Sequence, residues 1–120
     1  MPPETTKLLF DMKSAAERIK RFVAGKSFDN YLADDLLRSG VERQFEIIGE
    51  AMTRLAKLDR TVAEGITDYR KIVGFRNALI HGYDAINHDT SWGAIQNNLP
   101  ILLGEVNQLL NGLDARPPQS

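Results

Sequence analysis

The chain has 120 residues, a formal net charge of −1 and no cysteine, and 42% of its residues are hydrophobic. This length fits one domain, which buries roughly two-thirds of the surface that its unfolded chain would expose. The lack of cysteine excludes disulfide frameworks, thiolate zinc sites and cysteine nucleophiles. The near-neutral charge argues against a protein that coats nucleic acid by bulk electrostatics, so any RNA contact must be local.

Apolar spacings of three and four predict a first helix over residues 5–24, which Gly25 would end. Ser27 is an expected N-cap for a second, shorter helix that runs to about Arg38. We expect residues 39–40, a Ser-Gly pair, to break that helix. The side chains expected to point inward from the second helix are Phe28, Tyr31, Leu32 and Leu36.

A third helix is predicted over residues 41–58, and Gly49 lies inside it, where glycine lowers stability and permits close approach of another helix. Residues 59–68 have broken spacing and include Gly65, which indicates a loop or a short helical turn. The stripe that would face the core of the third helix consists of Val41, Phe45, Ile48, Met52 and Leu55.

A fourth helix is predicted from Asp68 or Tyr69 to Gly82, followed by a connection over residues 84–88. Asp89 is the expected N-cap of the last helix. An apolar repeat typical of bundle packing then continues through Trp92, Ile95, Leu99, Leu102, Val106 and Leu109.

Pro100 lies inside the last helix and should kink it near Gln96, because proline removes one backbone hydrogen bond and crowds the preceding turn. No alternating strand pattern or repeat is present in the sequence. The pattern therefore predicts an all-α fold, an antiparallel up-and-down bundle of four to five helices with a kinked last helix. We expect residues 1–114 to form this single domain and residues 115–120 to be a disordered tail.

The N-terminus lacks a basic run followed by an apolar stretch, so we expect no signal peptide. No segment approaches the roughly 20 apolar residues that span a bilayer. These features predict a cytoplasmic protein that does not insert into a membrane.

Three residues close to His81 in the sequence suit catalysis. Arg76 precedes it by five positions, Asn77 precedes it by four, and Tyr83 follows it by two. On a regular helix Asn77 and His81 share a face, whereas Arg76 lies about 140° from His81. One straight helix therefore does not aim Arg76 and His81 at one atom. Either the helix distorts near Gly82 or, as we favour, a second copy of the chain completes a groove about a two-fold axis.

Histidine, with a reference pKa of about 6.5, can take a proton from a ribose 2′-hydroxyl near neutral pH. Arginine offers a rigid fork of donors that matches a phosphate group. Attack by the neighbouring 2′-hydroxyl needs no metal ion or cofactor, and it would leave a 2′,3′-cyclic phosphate. The same spacing also fits an ordinary exposed arginine and a histidine at a helix end, so spacing alone leaves both interpretations open.

Further charged residues have two interpretations each. Glu46 and Glu50 would either orient Arg76 or form a solvated face, which we favour. Arg70 and Lys71 are candidate contacts for RNA phosphates, since a chain of net charge −1 must concentrate its cations near the motif; Arg43 and Arg54 could contribute from the neighbouring helix. His88 has no companion at metal-ligand spacing, which predicts a surface histidine.

Residues 76–83 read RNALIHGY, and this phrase resembles the signature of HepT-like toxins of the HEPN superfamily. Two further stretches fit the same family: VERQFEIIGEA over residues 41–51 and YRKIVGF over residues 69–75. The resemblance extends from about Leu8 to Leu110. It implies a homodimeric bundle that cleaves RNA without a metal ion, as an endoribonuclease.

In that resemblance Arg76 and His81 match the family's catalytic pair, and Asn77 matches the polar residue that supports them. The family is typically paired with a minimal nucleotidyltransferase (MNT-domain) antitoxin in a type VII-like toxin–antitoxin system. The antitoxin silences the toxin by transferring AMP to the motif tyrosine, here Tyr83. AMP on Tyr83 would block RNA through its bulk and its negative phosphate; alternatively, Tyr83 is a half-buried aromatic that closes the helix end.

Two other functions remain open at this point. The chain could be a non-catalytic member that binds nucleotides or a nucleotidyltransferase partner and cuts nothing. It could also be an accessory subunit of a nucleotidyltransferase, in which Tyr83 is a modification target and RNA cleavage is incidental. Growth arrest on expression would separate the toxin from both.

Overall fold

The computed structural model describes residues 2–81 and 87–114, with side chains described through residue 112. Every regular element in these ranges is helical, which confirms the predicted all-α class. A π-helical segment, Ala94–Asn98, joins the last two helices. The seven α-helices are α1 (Pro3–Val23), α2 (Phe28–Ala33), α3 (Asp35–Leu58), α4 (Arg60–Glu64), α5 (Tyr69–Ile80), α6 (His88–Gly93) and α7 (Leu99–Asp114).

The long helix α3 lies between α1 and α5, and α1 also packs against α7. The α1 and α3 helices run antiparallel, because Phe22 lies beside Gly40 while Arg18 is hydrogen-bonded to Gln44 at 3.3 Å. Their shared core includes Leu9, Met12, Ile19, Ile48, Met52 and Leu55, each at most 1% exposed. No helix in the described part of the chain is both long enough and apolar enough to cross a membrane.

The first helix ends where the sequence predicts, at Gly25, whose φ of +73° is a left-handed conformation that glycine adopts without strain. Ser27 then caps α2, as predicted. Its hydroxyl accepts from the backbone N–H of Asn30 at 3.1 Å, and the Asn30 side chain accepts from the N–H of Ser27 at 2.9 Å. This reciprocal pair is a capping box.

The break between the second and third helices lies at Asp34, so the predicted break at residues 39–40 is wrong. Asp34 has extended backbone, and its carboxylate accepts from the N–H of Leu37 at 3.0 Å, which caps α3 early. The guanidinium of Arg38 donates to the carbonyls of Tyr31 and Leu32, which satisfies the C-terminal end of α2.

This earlier break places residues 35–38 on α3 instead of on the second helix. Tyr31 is fully buried and Phe28 is half-buried, as expected. Leu32 and Leu36 were also expected to point inward, but they are 46% and 83% exposed. The prediction for these two leucines is therefore wrong.

A short helix, α4, occupies part of the predicted loop or turn over residues 59–68, with Asp59 as its N-cap. α5 then starts after Asp68 and ends at Ile80. The backbone N–H of His81 donates to the carbonyl of Asn77 at 3.0 Å, so regular α-helical bonding reaches the end of α5. The predicted end at Gly82 lies outside the described residues.

Asn87, and not Asp89, caps the helix that follows, which corrects the sequence prediction. The side-chain oxygen of Asn87 accepts from the N–H of Thr90 at 2.8 Å and from its hydroxyl at 2.9 Å, while Asp89 lies within the first turn. A π-helical segment, Ala94–Asn98, lies where the kink near Gln96 was predicted, and the kink itself stays a prediction. The segment accommodates Pro100, which has no N–H to donate. The tail over residues 115–120 lies outside the described residues, and the domain boundary stays a prediction.

Candidate active site

The arginine and asparagine of the motif are joined directly on α5. One terminal nitrogen (Nη1) of Arg76 donates to the side-chain oxygen (Oδ1) of Asn77 at 2.9 Å. Arg76 is half-buried, whereas Asn77 is exposed. The hydrogen bond therefore turns the guanidinium toward the solvent-facing side of Asn77.

His81 follows directly after the last residue of α5, and its side chain is exposed. It lies four residues after Asn77, so both project from the same flank of the helix. Helix geometry directs the start of the Arg76 side chain away from that flank. Its guanidinium is nevertheless hydrogen-bonded to Asn77, which lies on the flank. The regular bonding of α5 through His81 N–H excludes helix distortion in the described residues as the means of bringing Arg76 toward His81.

A glycine on the neighbouring helix fixes the stem of Arg76. A Cβ atom placed on Gly49 would lie 2.1 Å from the Cβ and 2.6 Å from the Cγ of Arg76. It would also lie 3.3 Å from the carbonyl oxygen of Ile72. The close approach predicted at Gly49 is thus real, and it occurs at the arginine of the motif.

The inner part of the Arg76 guanidinium is unsatisfied. Its Nε is buried and has no hydrogen-bond partner in the described part of the chain. A buried donor of this kind costs roughly 1–3 kcal/mol when it stays unpaired. This cost is part of holding the Arg76 side chain against α3.

Neither glutamate considered as an orienting partner forms an ion pair with Arg76 within the described residues. Glu46 lies 3.3 Å from Arg43, and Glu50 is exposed. This supports the solvated-face interpretation of the two glutamates. Asn77 is instead the residue that orients Arg76.

The two candidate RNA-binding cations, Arg70 and Lys71, lie in different grooves. Lys71 lies 4.0 Å from Asp68 and lines an apolar cavity of about 270 Å³ between α5 and the last helices. Arg70 lines a second cavity, of about 380 Å³, where α3, α4 and α5 meet. Lys57 and Arg60 contribute to the second cavity; sequence reasoning missed both, because they come from other helices and carry no local motif.

Tyr69 holds Arg70 in place. The Nε of Arg70 donates to the hydroxyl of Tyr69 at 3.1 Å, and the guanidinium carbon lies 5.6 Å from the centre of the Tyr69 ring. The bond to Tyr69 is the main cause that raises the pKa of Arg70 above its ordinary value. Arg70 is thus a permanently charged and positioned group.

His88 is half-buried, so the predicted surface histidine is wrong in part. Its ring meets the edge of Tyr31, with ring centres 6.4 Å apart, and its Nδ1 is buried. Burial, together with the Glu42 carboxylate, raises the pKa of Tyr31, against the lowering effect of Ser91 and Arg38. No cluster of three His, Asp or Glu side chains suited to a metal ion occurs among the described residues.

Tyr83, the expected modification site, lies outside the described residues, as does Gly82. The sequence comparisons nevertheless cover the whole motif. The family model described as ribonuclease HepT-like matches residues 12–109, which includes Arg76, His81 and Tyr83.

Three relatives extend over most of the chain. A candidate ribonuclease from Caldanaerobacter subterraneus subsp. tengcongensis is 32% identical over 90% of this chain and 92% of its own length. A candidate ribonuclease from Methanocaldococcus jannaschii is 26% identical over 93% of this chain and 92% of its own. A candidate ribonuclease HepT from Thermococcus cleftensis is 29% identical over 84% of this chain and 91% of its own.

No solved structure gives a significant match. The family model alone spans well over half of the chain, and the relatives align along nearly their full lengths. The chain therefore belongs to the HepT-like ribonuclease family.

Proposed function

We propose that this protein is a metal-independent endoribonuclease whose active site is built around Arg76 and His81. The observation that supports it most is the 2.9 Å hydrogen bond from Arg76 to Asn77, because it turns a phosphate-binding guanidinium toward the helix flank that carries His81. Membership of a ribonuclease family supports RNA as the substrate.

In the proposed reaction, His81 takes the proton of a ribose 2′-hydroxyl, and the 2′-oxygen attacks the adjacent phosphorus. The bond from phosphorus to the 5′-oxygen of the next nucleotide breaks. The leaving 5′-oxygen takes a proton from water, and protonated His81 returns its proton to the solvent. The products are a 2′,3′-cyclic phosphate and a 5′-hydroxyl. Arg76 stabilises the negative charge that develops on the phosphate oxygens during attack.

We further propose that the working enzyme is a homodimer. Arg76 and His81 differ by about 140° around α5, so one chain supplies only part of a site that surrounds a scissile phosphate. A two-fold axis along this flank would place both sets of residues in one groove.

For regulation, the proposal follows the family resemblance. An MNT-domain nucleotidyltransferase antitoxin would transfer AMP to Tyr83, two residues beyond His81, in a type VII-like toxin–antitoxin pair. The added phosphate would repel RNA phosphates and compete for Arg76.

A cytoplasmic location also stays a prediction.

The proposal is tested by incubating purified protein with total RNA in the presence of EDTA. Arg76→Ala and His81→Ala serve as variants, circular dichroism checks their folding, and mass spectrometry shows whether Tyr83 is unmodified. We expect cleavage by the unmodified wild type alone. Intact RNA with unmodified wild-type protein would contradict the proposal and support the non-catalytic binding subunit instead.

A further inference from the structure

The cavity at the junction of α3, α4 and α5 brings together three cationic side chains from three different helices. Lys57, Arg60 and Arg70 are all exposed. The chain as a whole has a net charge of −1, so a local concentration of positive charge stands out against it. The cavity, called here the α4 pocket, is lined by Thr53, Ala56, Lys57, Arg60, Tyr69, Arg70 and Val73.

The α4 pocket lies on the same flank of α5 as the candidate active site. Arg70, Asn77 and His81 are seven and four residues apart, which places them within about 40° of one another on a regular helix. Arg70 and Asn77 are separated by about 10 Å along the helix axis. A single strand that passes Asn77 and His81 along this flank therefore reaches Arg70 at the α4 pocket.

The antiparallel packing of α3 on α5 extends this path. Gly49 contacts Arg76 at one end of the contact between α3 and α5, which is called the α3–α5 seam below. Thr53, one turn further along α3, lines the α4 pocket together with Val73, which lies about one turn before Arg76. The pocket and the candidate active site thus lie next to each other along the contact between α3 and α5.

The donors of the pocket suit a phosphate group. Arg70 uses its Nε for the Tyr69 hydroxyl, and its two terminal nitrogens carry the other four N–H donors. A planar, pre-positioned guanidinium binds phosphate oxygens in a bidentate way. Arg60 is paired with Glu64 at 3.0 Å, so Lys57 and Arg70 supply most of the positive charge.

We propose that the α4 pocket binds a backbone phosphate of the RNA strand several ångströms away from the phosphate that is cleaved. The inference rests on the proposed ribonuclease function and adds a second contact to it. Arg70 makes the principal contact with this phosphate, Lys57 makes a supporting contact, and Tyr69 positions Arg70. The pocket would raise the affinity for longer RNA without taking part in the chemical step.

The test compares Arg70→Ala with Lys71→Ala. These neighbouring exposed residues carry the same charge on one helix, and the sequence named both as candidate phosphate contacts. Only Arg70 lines the α4 pocket, whereas Lys71 lies 4.0 Å from Asp68 at the other cavity, so the proposal assigns the contact to Arg70 and not to Lys71. The measured quantity is the Kd for a 2′-O-methyl RNA oligonucleotide, which cannot be cleaved by 2′-hydroxyl attack, from fluorescence anisotropy at several salt concentrations. Lys57→Ala and Tyr69→Phe complete the set, and Tyr69→Phe keeps the ring but removes the hydroxyl that holds Arg70.

We expect Arg70→Ala to raise the Kd about tenfold, Lys57→Ala and Tyr69→Phe to raise it less, and Lys71→Ala to change it little. The slope of log Kd against log salt concentration should become shallower by about 0.7 in Arg70→Ala, which corresponds to one lost phosphate contact on a single strand. Equal effects of Arg70→Ala and Lys71→Ala would overturn the proposal, because they would indicate diffuse electrostatic attraction.

A cleavage assay separates failure of the pocket from failure of the ribonuclease. If wild type cleaves RNA and Arg70→Ala binds and cleaves long RNA as wild type does, the pocket proposal is wrong and the ribonuclease stands. If the wild type neither binds nor cleaves RNA, both are wrong. Support for the pocket requires that Arg70→Ala raises KM for a long oligonucleotide while kcat stays near the wild-type value.

Discussion

Gly49 on α3 packs directly against the side chain of Arg76 on α5. A Cβ atom on Gly49 would lie only 2.1 Å from the Cβ of Arg76, well inside van der Waals contact. Because the obstruction is the rigid first part of the arginine side chain, it cannot be relieved by a change of rotamer alone. The helices must move apart to admit any larger residue at position 49.

Gly49→Ala should therefore destabilise the protein although alanine is the better helix former. Helix propensity alone favours alanine by about 1 kcal/mol, whereas overpacking of this kind costs roughly 1–3 kcal/mol. We expect a lower free energy of unfolding in urea and, because Arg76 is displaced, a lower kcat for RNA cleavage.

Gly74→Ala is the matched control for this prediction. Gly74 lies inside α5, and a Cβ there meets nothing within 4 Å. This variant should gain up to about 1 kcal/mol in stability with unchanged cleavage. A Gly49→Ala protein as stable and active as Gly74→Ala would show that the seam does not constrain Arg76.

Asn77→Ala removes the side chain that orients the guanidinium of Arg76. Asn77 is exposed, so the variant should fold normally. Hydrogen bonds to charged groups contribute roughly 1.5–3 kcal/mol, and we expect kcat to fall by about tenfold to a hundredfold. Asn77→Gln, which keeps a neutral amide acceptor for Arg76, should retain more of the activity than Asn77→Ala. Equal loss in the two variants would argue against a positioning role.

Asp34→Ala tests where the third helix begins. Loss of the N-cap bond to Leu37 should lower the free energy of unfolding by about 1 kcal/mol. Ser39→Ala, in the interior of α3, should be neutral or slightly stabilising. If Ser39→Ala instead lowers the free energy of unfolding in urea more than Asp34→Ala does, the result would support a helix break at residues 39–40.

Tyr31→Phe tests the buried hydroxyl near α6. The Tyr31 hydroxyl is buried and makes no hydrogen bond of good geometry in the described part of the chain, although Ser91 lies near enough to affect its pKa, so its removal should change stability little. Because the pKa of Tyr31 is raised in the folded state, the unfolded chain loses this proton first. The wild type should thus lose stability, relative to Tyr31→Phe, as the pH rises above about 10. A pH-independent difference between the two would contradict the raised pKa.

Periodicity predicted most helices of the bundle because their buried stripes are long and regular, as in α1 and α3. It misplaced the second break because Ser39 and Gly40 resemble a helix end, whereas the hydrogen bond from Leu37 N–H to the Asp34 side chain decides the start of α3. A cap of this kind stabilises a helix by about 1 kcal/mol, which is comparable to differences in helix propensity. The pattern of apolar residues carries no information about the cap.

The candidate catalytic residues were predictable because they share one short stretch of sequence. Their surroundings were not, because the contact of Gly49 with Arg76 and the grouping of Lys57 with Arg70 depend on how α3 and α5 pack. A helical wheel also does not predict the hydrogen bond between Arg76 and Asn77, because that bond depends on the side-chain conformations of two adjacent residues.

The central claim is that Arg76 and His81 cleave RNA through the 2′-hydroxyl, and the chemistry of the product ends tests it most directly. A defined RNA oligonucleotide is digested in EDTA, its cleavage sites are mapped, and a second oligonucleotide carries 2′-deoxyribose at the main site. We predict a 2′,3′-cyclic phosphate and a 5′-hydroxyl at each site, loss of cleavage at the deoxy position, and intact RNA with Arg76→Ala or His81→Ala. Cleavage at the deoxy position, or undiminished cleavage by either variant, would contradict the account.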